Sequence, residues 1–536
     1  MSGNKASNVN KDLTMQSHLL KQRFIRETNR ARRKKLGQFF TPENIAQWMA
    51  SWVLQNEPKN VLDPALGLGA LSAALLKKRK DVKIFGVEKD KKILQFLDED
   101  LSKLVDVKNI DYFDLDPKIK YEAIIANPPY IRHHEYNLSK DILLKYEKIC
   151  GEKISGLSNI YLFFCIDLIY RLEENGRAAI IIPTDWMNAN FGHPLKRYLS
   201  KLGVLKLMLY VDSNTLVFEN NLSTASILFI EKGNKKYEAV DFYYVNNIDF
   251  FSENNPNKKK YKNHAEYFQY SWQVLNKINK WDSLFRKRKN RIRYKDSKSI
   301  GDFFSSKRGI ATGANKFFNI NIKDKEKYRL DSKSLKLCIG SSRDVEGLVF
   351  KNKDLKNKLN QNKRLYLFDP PSKLNKSDRD YIELGKQQNI HLRYLPANKK
   401  IWYQQEKREI APIWVGVFNR GKVRFIYNET NSICLTTFHA LYPIVNLTKL
   451  EIKALVFILN HEYSLDLILD QRRTYGDGLA KLEPRDLLDI STPNIKKIKE
   501  EKLTSLASRL DVLDKAYRAN KEYSSNLDIE ELVEWE

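Results

Sequence analysis

The stretch Ile124-Ile125-Ala126-Asn127-Pro128-Pro129-Tyr130 constrains this chain more than any other. Glu122 to Ala126 reads as a short buried strand. Two consecutive prolines end it, because neither has an N–H for a sheet ladder and both fix φ. The segment therefore leaves the sheet as a stiff loop at a strand's C-terminal edge, where open parallel α/β sheets bind ligands. That loop carries an amide side chain, a proline carbonyl without a ladder partner and an aromatic ring. An amine lying against the Asn127 oxygen and the Pro128 carbonyl would meet two acceptors. Tyr130 would offer a flat face to a planar ring. The arrangement suits methylation of an exocyclic amino group on a base. A plain strand-ending turn is the other reading of these residues taken alone, so their neighbours decide.

Upstream, Asn60-Val61-Leu62-Asp63-Pro64-Ala65-Leu66-Gly67-Leu68-Gly69 reads as a strand ending at Asp63. A glycine-bearing turn then leads into a helix with Leu71, Leu75 and Leu76. Gly67 and Gly69 let the backbone approach a ligand closely. Dinucleotide sites want a third glycine three residues on, and Ser72 stands there instead. Asp63 would repel a pyrophosphate but suits a ligand carrying an ammonium or sulfonium. The next strand, Lys83 to Val87, ends at Glu88, an acid placed to take both hydroxyls of a ribose. After a helix comes Asn109-Ile110-Asp111-Tyr112-Phe113-Asp114. Asp111 is placed to accept from an adenine amino group with Tyr112 beside the ring, and Asp114 is its rival. Any one of these acids alone is a surface turn residue. At successive strand ends before Asn127 they form a nucleoside-binding rim. Ahead of them, Lys35-Leu36-Gly37-Gln38-Phe39-Phe40-Thr41-Pro42 leads into Ile45, Trp48, Met49, Trp52 and Val53. Thr41 reads as the N-cap of that helix with Pro42 at its first position.

Strands and helices alternate onward through Ile160–Leu172, Arg177–Pro183, Leu205–Val211 and Ala225–Glu231, which predicts a doubly wound, mostly parallel sheet. The closely spaced last two strands predict an antiparallel hairpin at its edge. Residues 1–34 form a basic arm, either a disordered tail or a helix laid against the body or a nucleic acid. The sheet domain spans 35–245. Residues 246–298 read as a basic linker with runs at Lys258–Lys260 and Arg286–Arg293. Residues 299–536 form a second, mixed α/β domain ending in helices, with Leu503, Leu506, Leu510, Leu513 and Tyr517 as a packing stripe. The 93 Lys+Arg against 66 Asp+Glu leave a net charge of +27, which favours a polyanionic partner, nucleic acid before a membrane surface. No apolar run approaches the ~18 residues of a membrane span. The four cysteines are far apart and read as reduced and structural, in a cytoplasmic protein. Nothing has metal-ligand spacing; His133 and His134 read as loop or DNA-facing residues.

Taken in order, Phe39-Phe40-Thr41-Pro42, Asp63-Pro64-Ala65-Leu66-Gly67-Leu68-Gly69, Glu88, Asp111 and Asn127-Pro128-Pro129-Tyr130 resemble one family. It is the gamma-class, TaqI-like N6-adenine DNA methyltransferases of restriction–modification systems. The resemblance covers most of residues 35–232. It continues in patches at Thr312-Gly313-Ala314-Asn315 and Tyr475-Gly476-Asp477-Gly478, which are similar to that family's target-recognition half. It implies a class I S-adenosylmethionine-dependent methyltransferase fold, with S-adenosylmethionine as donor and double-stranded DNA as substrate. A monomer paired in function with a separately encoded restriction endonuclease is expected. Thr41 would lie near the methionine portion and Asp63 near its amino group, with Ala65, Gly67 and Gly69 lining the turn. Glu88 would hold the ribose, and Asp111 with Tyr112 the adenine. Asn127 and Pro128, ahead of Pro129, would take the hydrogens of the target N6. Tyr130, and by placement Phe218, would pack on a flipped adenine. In the second half Lys307, Arg308, Lys316, Arg472, Arg473 and Tyr475 are candidate DNA contacts. The rival readings are a methyltransferase of RNA or of protein glutamine, and a catalytically inactive nucleic-acid-binding homologue.

Overall fold

The structure is a computed structural model. It describes residues 19–131, 136, 138–156, 158–212, 215, 217–218, 221–222, 224–233, 236–252, 264–285, 292–419, 423–469, 471, 473–474, 480–521, 523 and 529–535. The described residues form two compact units, one of those up to 285 and the other of those from 292 onward.

The first unit is organised by a nine-stranded sheet. Its strands are β1 (Asn60–Asp63), β2 (Lys83–Val87), β3 (Val105–Lys108), β4 (Tyr121–Ala126), β5 (Leu172–Pro183), β6 (Leu205–Val211), β7 (Ala225–Glu231), β8 (Ala239–Val245) and β9 (Ala265–Ser271). They lie side by side in the order β9-β8-β6-β7-β5-β4-β1-β2-β3. From β3 to β5 every pairing is parallel. The strand order reverses between β1 and β4, so the C-terminal ends of those two strands flank a crevice. Residues 123–126 of β4 are a continuous apolar run because the strand is buried there on both faces. Its side chains alternate. Ile124 and Ala126 join Leu62 and Ile180 against the helix Ile160–Arg171. Ala123 and Ile125 join Val61 and Ile181 against the helices Glu43–Val53 and Ala70–Lys78.

The expected late hairpin forms, with Leu207 opposite Phe229 and Leu209 opposite Ile227, but not at the edge of the sheet. β7 also pairs antiparallel with β5 and sits between β5 and β6. Residues 225–230 are all buried, so this strand needs a ladder on each side. The sheet then runs on past residue 245 into the stretch expected to be a linker. β8 pairs parallel with β6, and β9 pairs antiparallel with β8 as the outer strand. Trp281, Leu284 and Phe285 are buried in the same core as Phe242. Residues 264–285 therefore belong to the first unit, although the composition changes at 254–260. Residues 258–260 and 286–291 lie outside the described residues.

The arm is a helix against the body over the residues described. Residues 19–27 and Arg30–Lys35 are helical. Phe24 is fully buried, edge-on to Phe40 and Phe96. Residues 292–299 join the second unit. Ile292–Tyr294 pairs with Val533–Trp535, and Ser297–Ser299 pairs with Ser491–Pro493. That unit has a five-stranded sheet (Phe304–Arg308, Phe438–Pro443, Ile413–Gly416, Phe425–Asn428, Val349–Phe350) and a four-stranded one around Leu335–Ile339. Its last long helix, Glu500–Arg518, buries Leu503, Leu506, Leu510 and Leu513 in the unit's own core, while Tyr517 is partly exposed.

One buried ion pair ties a rim loop of the first unit to its core. Asp167 accepts from Tyr112 Oη (2.7 Å) and from Arg171 Nε (2.5 Å). Arg171, itself fully buried, also donates to the carbonyls of Leu115 and Asp116. Arg171→Ala removes the guanidinium from the fully buried Asp167 and leaves it the Tyr112 hydroxyl and the more distant Lys145 Nζ (3.9 Å), and should destabilise the first unit by about 3–5 kcal/mol. Urea unfolding followed by tryptophan fluorescence measures this; a midpoint equal to wild type would show that the pair contributes nothing.

Candidate active site

A cavity of about 480 Å³ opens where β1, β2 and β4 end. This is within the range of small-molecule sites, roughly 300–1,000 Å³. Its wall includes Thr41, Ala65, Gly67, Glu88, Asp111, Tyr112, Asn127 and Pro129. Thus the structure gathers eight of the expected site residues around one space.

Asn127 is held from behind. Its Nδ2 donates to the Phe39 carbonyl (2.8 Å) and to Thr41 Oγ1 (3.0 Å). A carbonyl can only accept, so the amide is fixed with its NH₂ group on that side. Asn127 Oδ1 is buried and has no protein partner. The loop is pinned at a second point, where Tyr130 N–H donates to the Gly37 carbonyl (3.2 Å). Gly37 has φ +62°, and a Cβ there would stand 2.4 Å from Tyr130 N, so no other residue fits. Pro128 is buried, and among the described residues no hydrogen bond falls on its carbonyl. Tyr130 lies off the cavity wall, its ring stacked on Phe39 at 4.8 Å and 27°. Burial pushes its hydroxyl pKa upward, so it remains a neutral phenol.

Thr41 is not the helix cap it was expected to be. The helix begins at Glu43 with Pro42 as its cap, and Thr41 is buried with its hydroxyl on Asn127. A long-range partner outbids the local capping bond. Gly69 likewise differs from its expectation. A Cβ there would meet Leu101 at 2.3 Å, so it permits helix packing, and it does not line the cavity. Gly67 does, and its N–H donates to Glu88 Oε2 (2.9 Å). The other Glu88 oxygen accepts from Asp90 N–H (2.8 Å). Burial raises the Glu88 pKa, while these two N–H donors oppose the rise.

Asp63 is fully buried, one residue before the cavity wall at Pro64. Its Oδ2 accepts from Ser72 Oγ (2.8 Å), and its Oδ1 has no partner. Burial pushes its pKa up to about 7, against the pull of the Ser72 and Ala65 hydrogen bonds. Asp111 has the opposite balance. Burial would raise it, but Lys89 (2.7 Å), the Tyr136 hydroxyl (2.6 Å) and Phe113 N–H hold it below the usual carboxylate range. Asp114 is exposed and off the wall, which separates the two rivals by position. Tyr112 is committed to the core, stacked on Phe164 at 4.4 Å with its hydroxyl on Asp167. Phe113 and Tyr136 supply the less buried aromatic rings on that wall.

Sequence reasoning missed the closure on the opposite side. Arg32 grips Asp90 with two hydrogen bonds (2.8 and 2.9 Å), and Gln38 Nε2 adds a third (2.8 Å). This fixes the arm across the cavity, where Arg32, Leu36 and Gln38 form part of the wall. Only basic crowding in the arm hinted at it. Phe218 lies in a two-residue strand with Val217, and its side chain is outside the description. Arg473 has its backbone in a strand, while its side chain, and Arg472, Tyr475, His133 and His134 altogether, lie outside the described residues. Lys307, Arg308 and Lys316 are exposed in the second unit. Among the described residues no cluster of His, Cys, Asp and Glu could hold a metal, and no helix is long and apolar enough to cross a membrane.

The reversed strand order and the antiparallel β7 set between β5 and β6 define a class I methyltransferase fold, with the Asn-Pro-Pro-Tyr loop at its crevice. Residues 22–283 match the family model for N-6 DNA methylases. Residues 280–532 match that for the C-terminal domain of the type II methyltransferase M.Eco57I. The chain is 35% identical over 460 residues to type II methyltransferase M.AccI of Acinetobacter calcoaceticus, covering 85% of each. It is 24% identical to M.XamI of Xanthomonas campestris pv. amaranthicola, covering 87% of each. The chain belongs to the N6-adenine DNA methyltransferases of type II restriction–modification systems. Among solved structures, a DrdV–DNA complex is similar at TM-score 0.57 and 11% identity, over 94% of this chain and 60% of that one. The type IIL enzyme MmeI in complex with DNA is similar at TM-score 0.52 and 11% identity, over 98% and 72%.

The Asp63 geometry sets a pH dependence. Its carboxyl titrates at about 7 in the folded chain and near 3.9 unfolded. The folded state therefore holds the proton more tightly. The stability this supplies is complete below about pH 4 and is lost as pH rises through about 7. Ligand-free wild type should lose melting temperature relative to Asp63→Asn between pH 5 and 8. Scanning calorimetry of both proteins at four pH values checks it; parallel curves would mean that Asp63 is ionised throughout.

Proposed function

We propose that the protein transfers a methyl group from S-adenosylmethionine to N6 of a target adenine that has been flipped out of duplex DNA. The modification would protect a specific site from a companion restriction endonuclease. The observation that carries this reading is the Asn127 amide. Its NH₂ is engaged by Phe39 and Thr41, so a buried, unpartnered oxygen remains at the mouth of the crevice.

The residues present fit the donor. Asp63 Oδ1 is a buried acceptor without a partner, suited to an ammonium. Each Glu88 oxygen already holds one backbone N–H and keeps a lone pair for a ribose hydroxyl. Asp111 would accept from an adenine amino group, with Phe113 rather than Tyr112 beside the ring. When bound, S-adenosylmethionine supplies an electrophilic methyl group on a sulfonium. Asn127 Oδ1 and the Pro128 carbonyl accept the two N6 hydrogens, which directs the nitrogen's lone pair and raises its nucleophilicity. Tyr130, its ring stacked on Phe39 off the cavity wall, would meet the base from beside the cavity. Alignment of the reacting atoms favours a single displacement, in which the bond from N6 to the methyl would form as the sulfur–methyl bond breaks, the thioether would leave and one N6 proton would pass to water. Extrusion of the base costs a few kcal/mol, which its contacts in the site must offset.

Sequencing that detects modified adenines in duplex DNA exposed to the protein tests the reading. One recurring sequence carrying N6-methyladenine is expected; methyl transfer to RNA or protein with none to duplex DNA would overturn it. Asn127→Ala should cut the methylation rate by about 10²–10³ while DNA affinity is retained, since it removes a fixed acceptor of the reacting group. Single-turnover assays beside gel shifts separate the two quantities, and an unchanged rate would remove Asn127 from the chemistry. Glu88→Ala should weaken S-adenosylmethionine binding by about 1–3 kcal/mol. Titration calorimetry reads this directly; equal affinity would assign the ribose to another group.

A further inference from the structure

The second unit carries a rigid projection whose apolar side chains stand in solvent. Residues 389–405 are held from beneath. Ile390 and Pro396 are buried, Trp402 packs 6.0 Å from Phe317, and Gln405 N–H donates to Asp369 Oδ1. The crest is stiff as well. Asn389 turns with φ 56°, Ala397 N–H donates to the Arg393 carbonyl (2.8 Å), and Asn398 Nδ2 donates to the Tyr394 carbonyl (2.6 Å). From this crest Leu392 is 67% exposed and Tyr394 82%, the two most exposed large apolar side chains among the described residues. Adjacent apolar groups held outward by a fixed backbone mark an interaction site, unlike apolar residues scattered singly.

The surroundings name the partner. The crest rests on the Thr312-Gly313-Ala314-Asn315 turn. Gly313 has φ +73°, and a Cβ there would stand 2.8 Å from Leu395 Cβ and 2.7 Å from Pro396 Cδ. Asn315 and Lys316 beside it are exposed, as are Arg393 and Lys400 on the crest. Residues 307–316 and 389–408 together hold eight basic residues against one acid, Glu406. That charge suits phosphates, and apolar side chains between basic ones are how proteins wedge into a base step.

We propose that Leu392 and Tyr394 form a wedge that enters a groove of duplex DNA and unstacks a base step, with Arg393 and Lys400 on the flanking phosphates. This rests on the reading that duplex DNA is the substrate, and it adds a contact distinct from the flipped adenine. The full-length protein is titrated with a short duplex carrying the modified site, with 2-aminopurine placed in turn at steps outside the target adenine. Wild type should bind and brighten the probe at one step. Leu392→Ala/Tyr394→Ala should bind roughly 10- to 100-fold more weakly and lose that signal with an unchanged melting temperature, while Tyr394→Phe keeps it. Equal affinity and equal fluorescence in the double variant would overturn the wedge. So would loss confined to Arg393→Gln/Lys400→Gln, which would leave charge alone. Dissociation of a dimer by the double variant with DNA binding intact would make the crest an interface between copies and also overturn it. Failure of wild type to bind any duplex would instead refute the DNA reading, and the wedge with it.

Discussion

The orientation of one amide governs this site. Asn127 carries both donors and an acceptor, and only the acceptor suits an amino substrate. The Phe39 carbonyl and the Thr41 hydroxyl settle which end points where. Both come from the segment between the arm and the helix Glu43–Val53, almost ninety residues earlier in the chain. That segment is placed in turn by the Gly37–Tyr130 hydrogen bond and by the grip of Arg32 and Gln38 on Asp90. The arm is thus part of the cavity wall, and the Asn127 loop and the strap that closes the cavity are fixed by one set of contacts.

The acids show how environment separates chemically similar groups. Asp63 is fully buried, and the Ser72 and Ala65 hydrogen bonds only partly offset that burial, so its pKa is pushed up to about 7. Asp111 meets an ammonium, a phenol and a backbone N–H, and stays ionised. Glu88 lies between them, buried but served by two backbone donors. A cationic group bound near Asp63 would favour its ionised form, and its binding would then release a proton.

Much of this was legible in the chain because strand ends are marked by local chemistry. Asp-Pro, a terminal Glu and Asn-Pro-Pro each end an apolar run, and β1, β2 and β4 do end there. The failures share a cause. Thr41 before Pro42 satisfies a capping pattern, but a residue far away in sequence claims its hydroxyl. Tyr112 and Phe113 are both aromatic neighbours of Asp111, and only the buried Asp167 decides which one turns inward. The asparagine-rich change after residue 252 resembles the end of a domain, yet the chain returns with β9 to continue the sheet. Arg32 with Asp90, and Tyr136 with Asp111, have no periodicity to reveal them. Pairings between distant positions are set by the assembled fold.

The insertion of β7 between β5 and β6 also has a temporal side. On a growing chain β6 appears before either of its sheet neighbours, because β7 and β8 both lie later in the sequence. All but one of its seven side chains are destined for burial. Until β7 follows, roughly 20 residues and about 1–4 s later at ordinary synthesis rates, β6 is an apolar strand with both edges open. Between β5 and β6 the nascent sheet must leave a gap one strand wide. Pairing the two directly would seal out β7 and strand a seven-residue apolar segment.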